Sequence, residues 1–280
     1  MVATPIGNAR DITLRTLDIL ASADVLAAED TRSLRKLMAI HGIAVDGRPV
    51  LAYHDHNGAK MRPRLLTLLG EGKSVAYAPE AGTPTVSDPG LVLAKEARAA
   101  GYGVTAAPGA SAVLSALCVA GLPTDRFLFS GFLPSSDGPR RKALSELAGV
   151  PATLVFYESP HRIAATLATA GAVLGGDRPA ALCRELTKRF EEVRSGTLAQ
   201  LHASVVQSPP KGEIVLVIGK GGATGVSELE IETAIDLALA TMSVRDTADT
   251  VAAQFGVKRR EIYQKAMARA TVRKAAPPDG

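Results

Sequence analysis

Short apolar runs alternate along this chain with segments of helical period, and that alternation constrains its fold more than any other feature. Residues 25–28, 73–78 and 104–107 read as buried strands. Residues 11–20 set Ile12, Leu14, Leu17 and Leu20 at helical spacing with Asp11 as the expected N-cap, and 89–100 read as a helix closed by Gly101. A repeat of strand, loop and helix predicts an α/β layer on a mostly parallel sheet. After a Pro/Gly break at 121–124, residues 127–132, 152–157, 180–183 and 213–218 offer strands for a second such unit. Residues 219–225 have linker composition, and from Glu228 onward the pattern is helical. The expected architecture is α/β: two α/β domains, 1–121 and 122–222, and a small helical domain, 223–280.

Composition removes several classes of function. Of 280 residues, 46% are hydrophobic and 21% charged, the balance of a folded globular chain. The longest apolar stretch, 113–122, is too short to span a bilayer and contains Ser115, and no basic segment followed by an apolar one opens the chain. Neither a membrane protein nor a secreted one is expected. Two cysteines, Cys118 and Cys183, make neither a disulfide framework nor a thiolate zinc site; both sit in apolar sequence and read as buried thiols of a reducing cytoplasm. The net charge of +4 is too small for a general nucleic-acid field. Its distribution is uneven, with Lys258, Arg259, Arg260, Lys265, Arg269, Arg273 and Lys274 standing against Glu261 alone.

Several look-alikes of nucleotide motifs fail on context. Gly72-Lys73-Ser74 ends like a P-loop, but Thr67 occupies the place of the required glycine. Gly101-Tyr102-Gly103 precedes a strand, whereas a dinucleotide fingerprint follows one. His54-Asp55-His56 has no third ligand at useful spacing, so a hydrogen-bonding loop is expected there and no metal. The informative loops sit where strands end: Pro5-Ile6-Gly7, Ala81-Gly82-Thr83 and Gly109-Ala110-Ser111-Ala112. Small residues there let the backbone approach a ligand, and Thr83 and Ser111 add hydroxyls. Each alone reads as an ordinary turn; three at strand ends point to a small-molecule pocket.

The strings TPIGN, AEDTR, AGTP with SDPG, PGASA, GFLP, FYESPHR, RELTK and KGEIVLVIGK follow one another between Thr4 and Lys220. In this the chain resembles the small-subunit ribosomal RNA methyltransferase I family of the tetrapyrrole-methylase-like superfamily. The resemblance implies S-adenosylmethionine-dependent methylation of a cytidine ribose 2′-hydroxyl in the decoding region of 16S rRNA. It further implies a methyl-donor site in the cleft between two α/β domains, a homodimer, and 16S rRNA or the small subunit as partner. Carried over by residue, Pro5 and Gly7 line the donor side. Ala81, Gly82, Thr83 and Val86 match the donor-binding loop, and Ser111 with Ala112 the second loop. Tyr157, Glu158 and Gly196 fall where the second domain closes on the donor. Two departures stand out: Pro79-Glu80 replaces the family's usual Ser-Asp, and the first strand is shorter than usual, which reads either as a weaker sheet edge or as a misassigned start.

A ribose hydroxyl is a poor nucleophile, so a base beside it would help. Glu29, Asp30 and Glu158 are the candidate catalytic acids, set in the polar clusters Glu29-Asp30-Arg32 and Glu158-His161-Arg162; Arg184, Glu185 and Lys188 form a third cluster. The same clusters also read as structural ion pairs. Arg32, Arg162, Arg184 and Lys188 are candidate phosphate contacts, joined by Lys258, Arg259 and Arg260 of the tail. There, Val244, Ala248, Val251, Ala252 and Phe255 form an apolar face, Gly256 the turn, and the basic helix follows at helix-turn-helix spacing. A structural cap or dimer element is the alternative for the tail. For the whole chain the alternatives are a tetrapyrrole C-methyltransferase and a non-catalytic nucleic-acid-binding protein.

Overall fold

The structure, a computed structural model, describes residues 1–85, 90–221, 228–255 and 257–275. The first region runs α1 (Leu14–Ser22), β1 (Val25–Ala28), α2 (Thr31–Ile40), β2 (Val50–Ala52), α3 (Gly58–Gly70), β3 (Val75–Ala78), α4 (Gly90–Ala99) and α5 (Ala112–Val119). The second runs β4 (Phe127–Phe132), α6 (Asp137–Leu147), β5 (Thr153–Glu158), α7 (Ile163–Leu174), β6 (Pro179–Arg184), β7 (Glu192–Thr197), α8 (Leu198–Gln207) and β8 (Ile214–Ile218). Three helices follow, α9 (Glu228–Ala238), α10 (Val244–Phe255) and α11 (Arg259–Ala275), as the helical pattern predicts. Gly256 and residues 222–225 of the expected linker lie outside the described residues.

The first sheet has the order β2-β1-β3 and is parallel throughout. All four residues of β1 are buried, as expected of a strand covered on both faces. The chain start extends this sheet: Val2 donates to the Tyr77 carbonyl at 2.9 Å, and Val2 bridges Ala107 in parallel. That bridge is all that forms of the strand expected at 104–107, where Thr105 and Ala106 are exposed and have no apolar layer to join. The first long helix also begins later than expected. Asp11 ends a short 3₁₀ turn, and Thr13 caps α1 by accepting from the Thr16 N–H at 3.2 Å.

The second sheet is mixed rather than mostly parallel, in the order β4-β5-β8-β6-β7, with β8 and β7 antiparallel to their neighbours. The polar edge strand β7 had no apolar signal to betray it. One face of the sheet, with Leu154, Phe156, Leu182 and Leu216, packs beneath α7 and α8. The other, with Val155, Ala181, Cys183 and Val217, packs on α5, whose residues Val113, Ala116 and Leu117 are buried there, and on Ile6. Ile6 and α5 thus bring the first region's ligand-type loops against the second sheet. Cys118 is exposed on α5, contrary to its apolar sequence context, because Val113, Ala116 and Leu117 take the inward face; Cys183 is buried as expected.

Candidate active site

Both sheets direct their strand ends to one cleft of about 710 Å³. From the first region come the carboxyl ends of β1 and β3 with the loops that follow; from the second, the carboxyl ends of β4, β5 and β6 and the start of the reversed β8. Pro5, Gly7, Ala81, Gly82, Thr83, Ser111, Ala112 and Tyr157 line it, together with the acids Glu29, Glu80, Glu158 and Glu213. Of the remaining sequence-predicted donor residues, Val86 lies outside the described residues. Gly196 does not line the cleft: it pairs with Ala180 near the start of β6, while Cys183 near that strand's other end faces the cavity.

The loops hold one another across the chain. Thr4 and Gly82 exchange backbone hydrogen bonds at 2.9 and 3.0 Å, and the Thr83 hydroxyl donates to the Ala110 carbonyl at 2.9 Å. Gly82 sits at φ +79°, where a side chain is strained, and a Cβ there would stand 3.3 Å from Ile6 Cγ2. A valine at this position is therefore no neutral probe of the pocket. Ser111 caps α5 by accepting from the Leu114 N–H at 3.5 Å. From the second region, the β6–β7 loop closes over Gly7, and the Asn8 N–H donates to Thr187 Oγ1 at 3.1 Å. Glu185 and Thr187 hold φ of +51° and +65°, a left-handed conformation costly for a β-branched threonine, here beside the cleft.

The three candidate acids differ in what their oxygens already do. Glu158 has a fully buried side chain; its carboxylate accepts from the Ser159 N–H at 2.8 Å and the Thr166 hydroxyl at 2.6 Å, and faces Arg162 Nε at 3.3 Å. Asp30 caps α2, accepting from the Arg32 and Ser33 N–H groups, and pairs with the Arg32 guanidinium at 3.0 Å. Those hydrogen bonds hold its carboxyl down at about 2. The oxygens of both already have partners within the fold. Glu29 keeps more freedom: one oxygen accepts from the Glu80 N–H at 3.1 Å, and the side chain lines the cavity. Sequence reasoning missed Glu213, which is 80% exposed at the side chain and bound through one oxygen to Lys188 at 2.9 Å. The available signal was a carboxylate directly preceding the wholly buried run of β8 at its cleft end.

The basic candidates are mostly occupied. Arg162 bonds Glu158 and the Leu133 carbonyl, Arg184 bonds Glu192 at 2.9 Å, and Lys188 bridges Glu185 and Glu213. Arg32, though paired, is 90% exposed at its side chain. In the helical region, Arg259 pairs with Asp249, and Arg269 with Asp236 and, at 2.8 Å, Glu232; Lys258 stands 3.8 Å from Glu261. Arg260 is exposed, with no acidic partner among the described residues. The His54 loop is a hydrogen-bonded turn, its N–H donating to Asn57 Oδ1 at 2.9 Å. No helix among the described residues is long and apolar enough to cross a membrane.

Comparison with known proteins matches residues 1–202 to Tetrapyrrole (Corrin/Porphyrin) Methylases and residues 225–270 to the RsmI C-terminal HTH domain. A protein of Mesorhizobium japonicum named ribosomal RNA small subunit methyltransferase I is 46% identical over 267 residues, covering 95% of this chain and 90% of its own. The Pseudomonas aeruginosa protein of the same name is 42% identical over 274 residues, covering 96% of each. Among solved structures, cobalt precorrin-4 methyltransferase superposes with a TM-score of 0.59 at 18% identity, covering 78% of this chain and 93% of its own. Diphthine synthase gives 0.59 at 19% identity, covering 78% and 89%. These structures share the fold.

Proposed function

The chain belongs to the tetrapyrrole (corrin/porphyrin) methylase family and is a methyltransferase of the ribosomal RNA small subunit kind; from that premise we propose how it acts and on what. It methylates the 2′-hydroxyl of a cytidine ribose in the decoding region of 16S rRNA, with S-adenosylmethionine as donor, as a cytoplasmic homodimer. One observation carries this reading: identity above 40% runs through nearly the whole of both chains, the helical tail included. The tetrapyrrole C-methyltransferase alternative is not favoured, since the cobalt precorrin-4 enzyme is nearly all matched while 78% of this chain is used.

The cleft suits the donor. It combines close backbone approach at the Gly7 and Gly82 loops, the Tyr157 ring, and the acids Glu29, Glu80 and Glu213. Those acids offer a negative surround to a cationic ligand. S-adenosylmethionine, when bound, supplies an already activated methyl group on a sulfonium. What remains for the protein is to align the acceptor and take up its proton. The Pro5–Gly7, Ala81–Thr83 and Ser111–Ala112 loops fix the donor side. Glu29 and Glu213 face the cavity from its two walls with oxygen atoms to spare, and are the proposed proton acceptors. Arg32 and Arg260 are the exposed cations best placed to meet phosphates.

Mass mapping of ribose methylation in 16S rRNA tests the reading. Cells without the protein lose one 2′-O-methylcytidine, and its coding sequence restores it; an unchanged ribose-methylation map would overturn the proposal.

A further inference from the structure

We infer that Phe132 is the platform on which the target base of the RNA stacks, a positioning residue for the acceptor and not for the methyl donor. The inference rests on the rRNA reading above and adds the element that holds the base.

Phe132 is the last residue of β4, an edge strand. Up to Phe129, which pairs with Val155, the register with β5 is regular; then Phe132 pairs with Tyr157. Ser130 and Gly131 therefore oppose Phe156 alone, a bulge with Gly131 at φ +64°. Side chains alternate between faces along a regular strand, so unbroken alternation from Phe129 would set Phe132 on the face of Leu128, Leu154 and Phe156 beneath the helices. The bulge turns it to the face of Phe129, Val155 and Tyr157, at the cleft.

There the ring rests against Tyr157 and is otherwise largely exposed. Tyr157 meets it edge to face at a centroid distance of 5.6 Å, and Phe129 meets Tyr157 at 4.8 Å, so three rings run from the sheet to the lip of the cleft. Phe132 is 58% exposed, although it lines the cavity and a bulge is spent on bringing it there. An exposed ring braced from behind is the element that takes an unstacked base, because every base has an apolar face to lay on it. The loops proposed for the donor come from the first region, whereas Phe132 lines the same cleft from the second.

The test uses the full-length protein, S-adenosylmethionine and small subunits from cells lacking the modification. For Phe132→Ala the expected result is a KM for subunits raised roughly 5- to 150-fold, the range of one lost base–aromatic stack, with donor affinity by calorimetry within about twofold of wild type. Phe132→Tyr keeps the wild-type KM, while Phe132→Leu, which preserves apolar bulk, behaves as the alanine variant does. Unchanged KM in both Phe132→Ala and Phe132→Leu would overturn the inference. So would a parallel loss of donor affinity, which would put the ring against the donor. Failure of the wild type to methylate subunits at all would instead overturn the rRNA reading, and this inference with it.

Discussion

The cleft and the C-terminal helices hold charge in opposite ways. In the cleft, Glu29 and Glu213 each commit one oxygen to a hydrogen bond and leave the carboxylate facing the cavity. In the helices, the cations that look like a phosphate-binding run are partly taken by acids of the same region, Arg259 by Asp249 and Arg269 by Glu232 and Asp236. A count of formal charges sees the second region and overlooks the first. What a partner meets is the charge left over after internal pairing, and surface pairs of this kind add little to stability.

If the open acids do the chemistry, Glu29→Gln or Glu213→Gln lowers turnover by about 10²–10⁴-fold with donor affinity near normal. A drop of less than about tenfold in both would leave alignment as the whole mechanism and remove the functional side of the contrast. Glu158 is the reverse case. Glu158→Ala leaves Arg162 without its buried partner, and stability falls toward the lower end of about 3–5 kcal/mol, because Arg162 reaches solvent. The denaturant midpoint should drop well before any change in donor affinity is seen at 25 °C. Gly82→Ala forces a side chain into the left-handed region and costs about 1–2 kcal/mol, again read from the midpoint.

Much of this arrangement was legible in the sequence, for identifiable reasons. The strands β1, β3, β5, β6 and β8 are apolar runs, and the loops at 5–7, 81–83 and 111–112 met in one cleft as expected of small residues after strands. Short β2 and polar β7 escaped, since neither alternates apolar and polar residues over a useful length. The acids divided on a matter that sequence does not carry, namely which oxygens find backbone or hydroxyl donors. Asp30 precedes a helix and became its cap; Glu158 met Thr166 one helix away. Phe132 was hidden because its place depends on a one-residue bulge.

The smaller effects probe the pairing itself. Asp30 has a carboxyl held down at about 2 from an ordinary 3.8, so the charged form is favoured by folding. Its contribution to stability is complete above the unfolded value and is lost as pH falls from about 4 through 2; in Asp30→Asn that part of the acid-side slope disappears. In the helices, Arg260→Ala should reduce the salt slope of rRNA binding by about 0.7–0.9, one phosphate contact. Asp249→Asn, which frees Arg259, should steepen it. Equal slopes in all three proteins would make the helical region a structural or dimer element.

The most direct test of the account is transfer in vitro with labelled methyl groups. Purified protein, S-adenosylmethionine and unmodified small subunits should yield label on one cytidine ribose of 16S rRNA, recovered as an alkali-resistant dinucleotide because the blocked 2′-oxygen cannot attack its phosphate. Label on a base, or none in RNA while donor binding is intact, would contradict it.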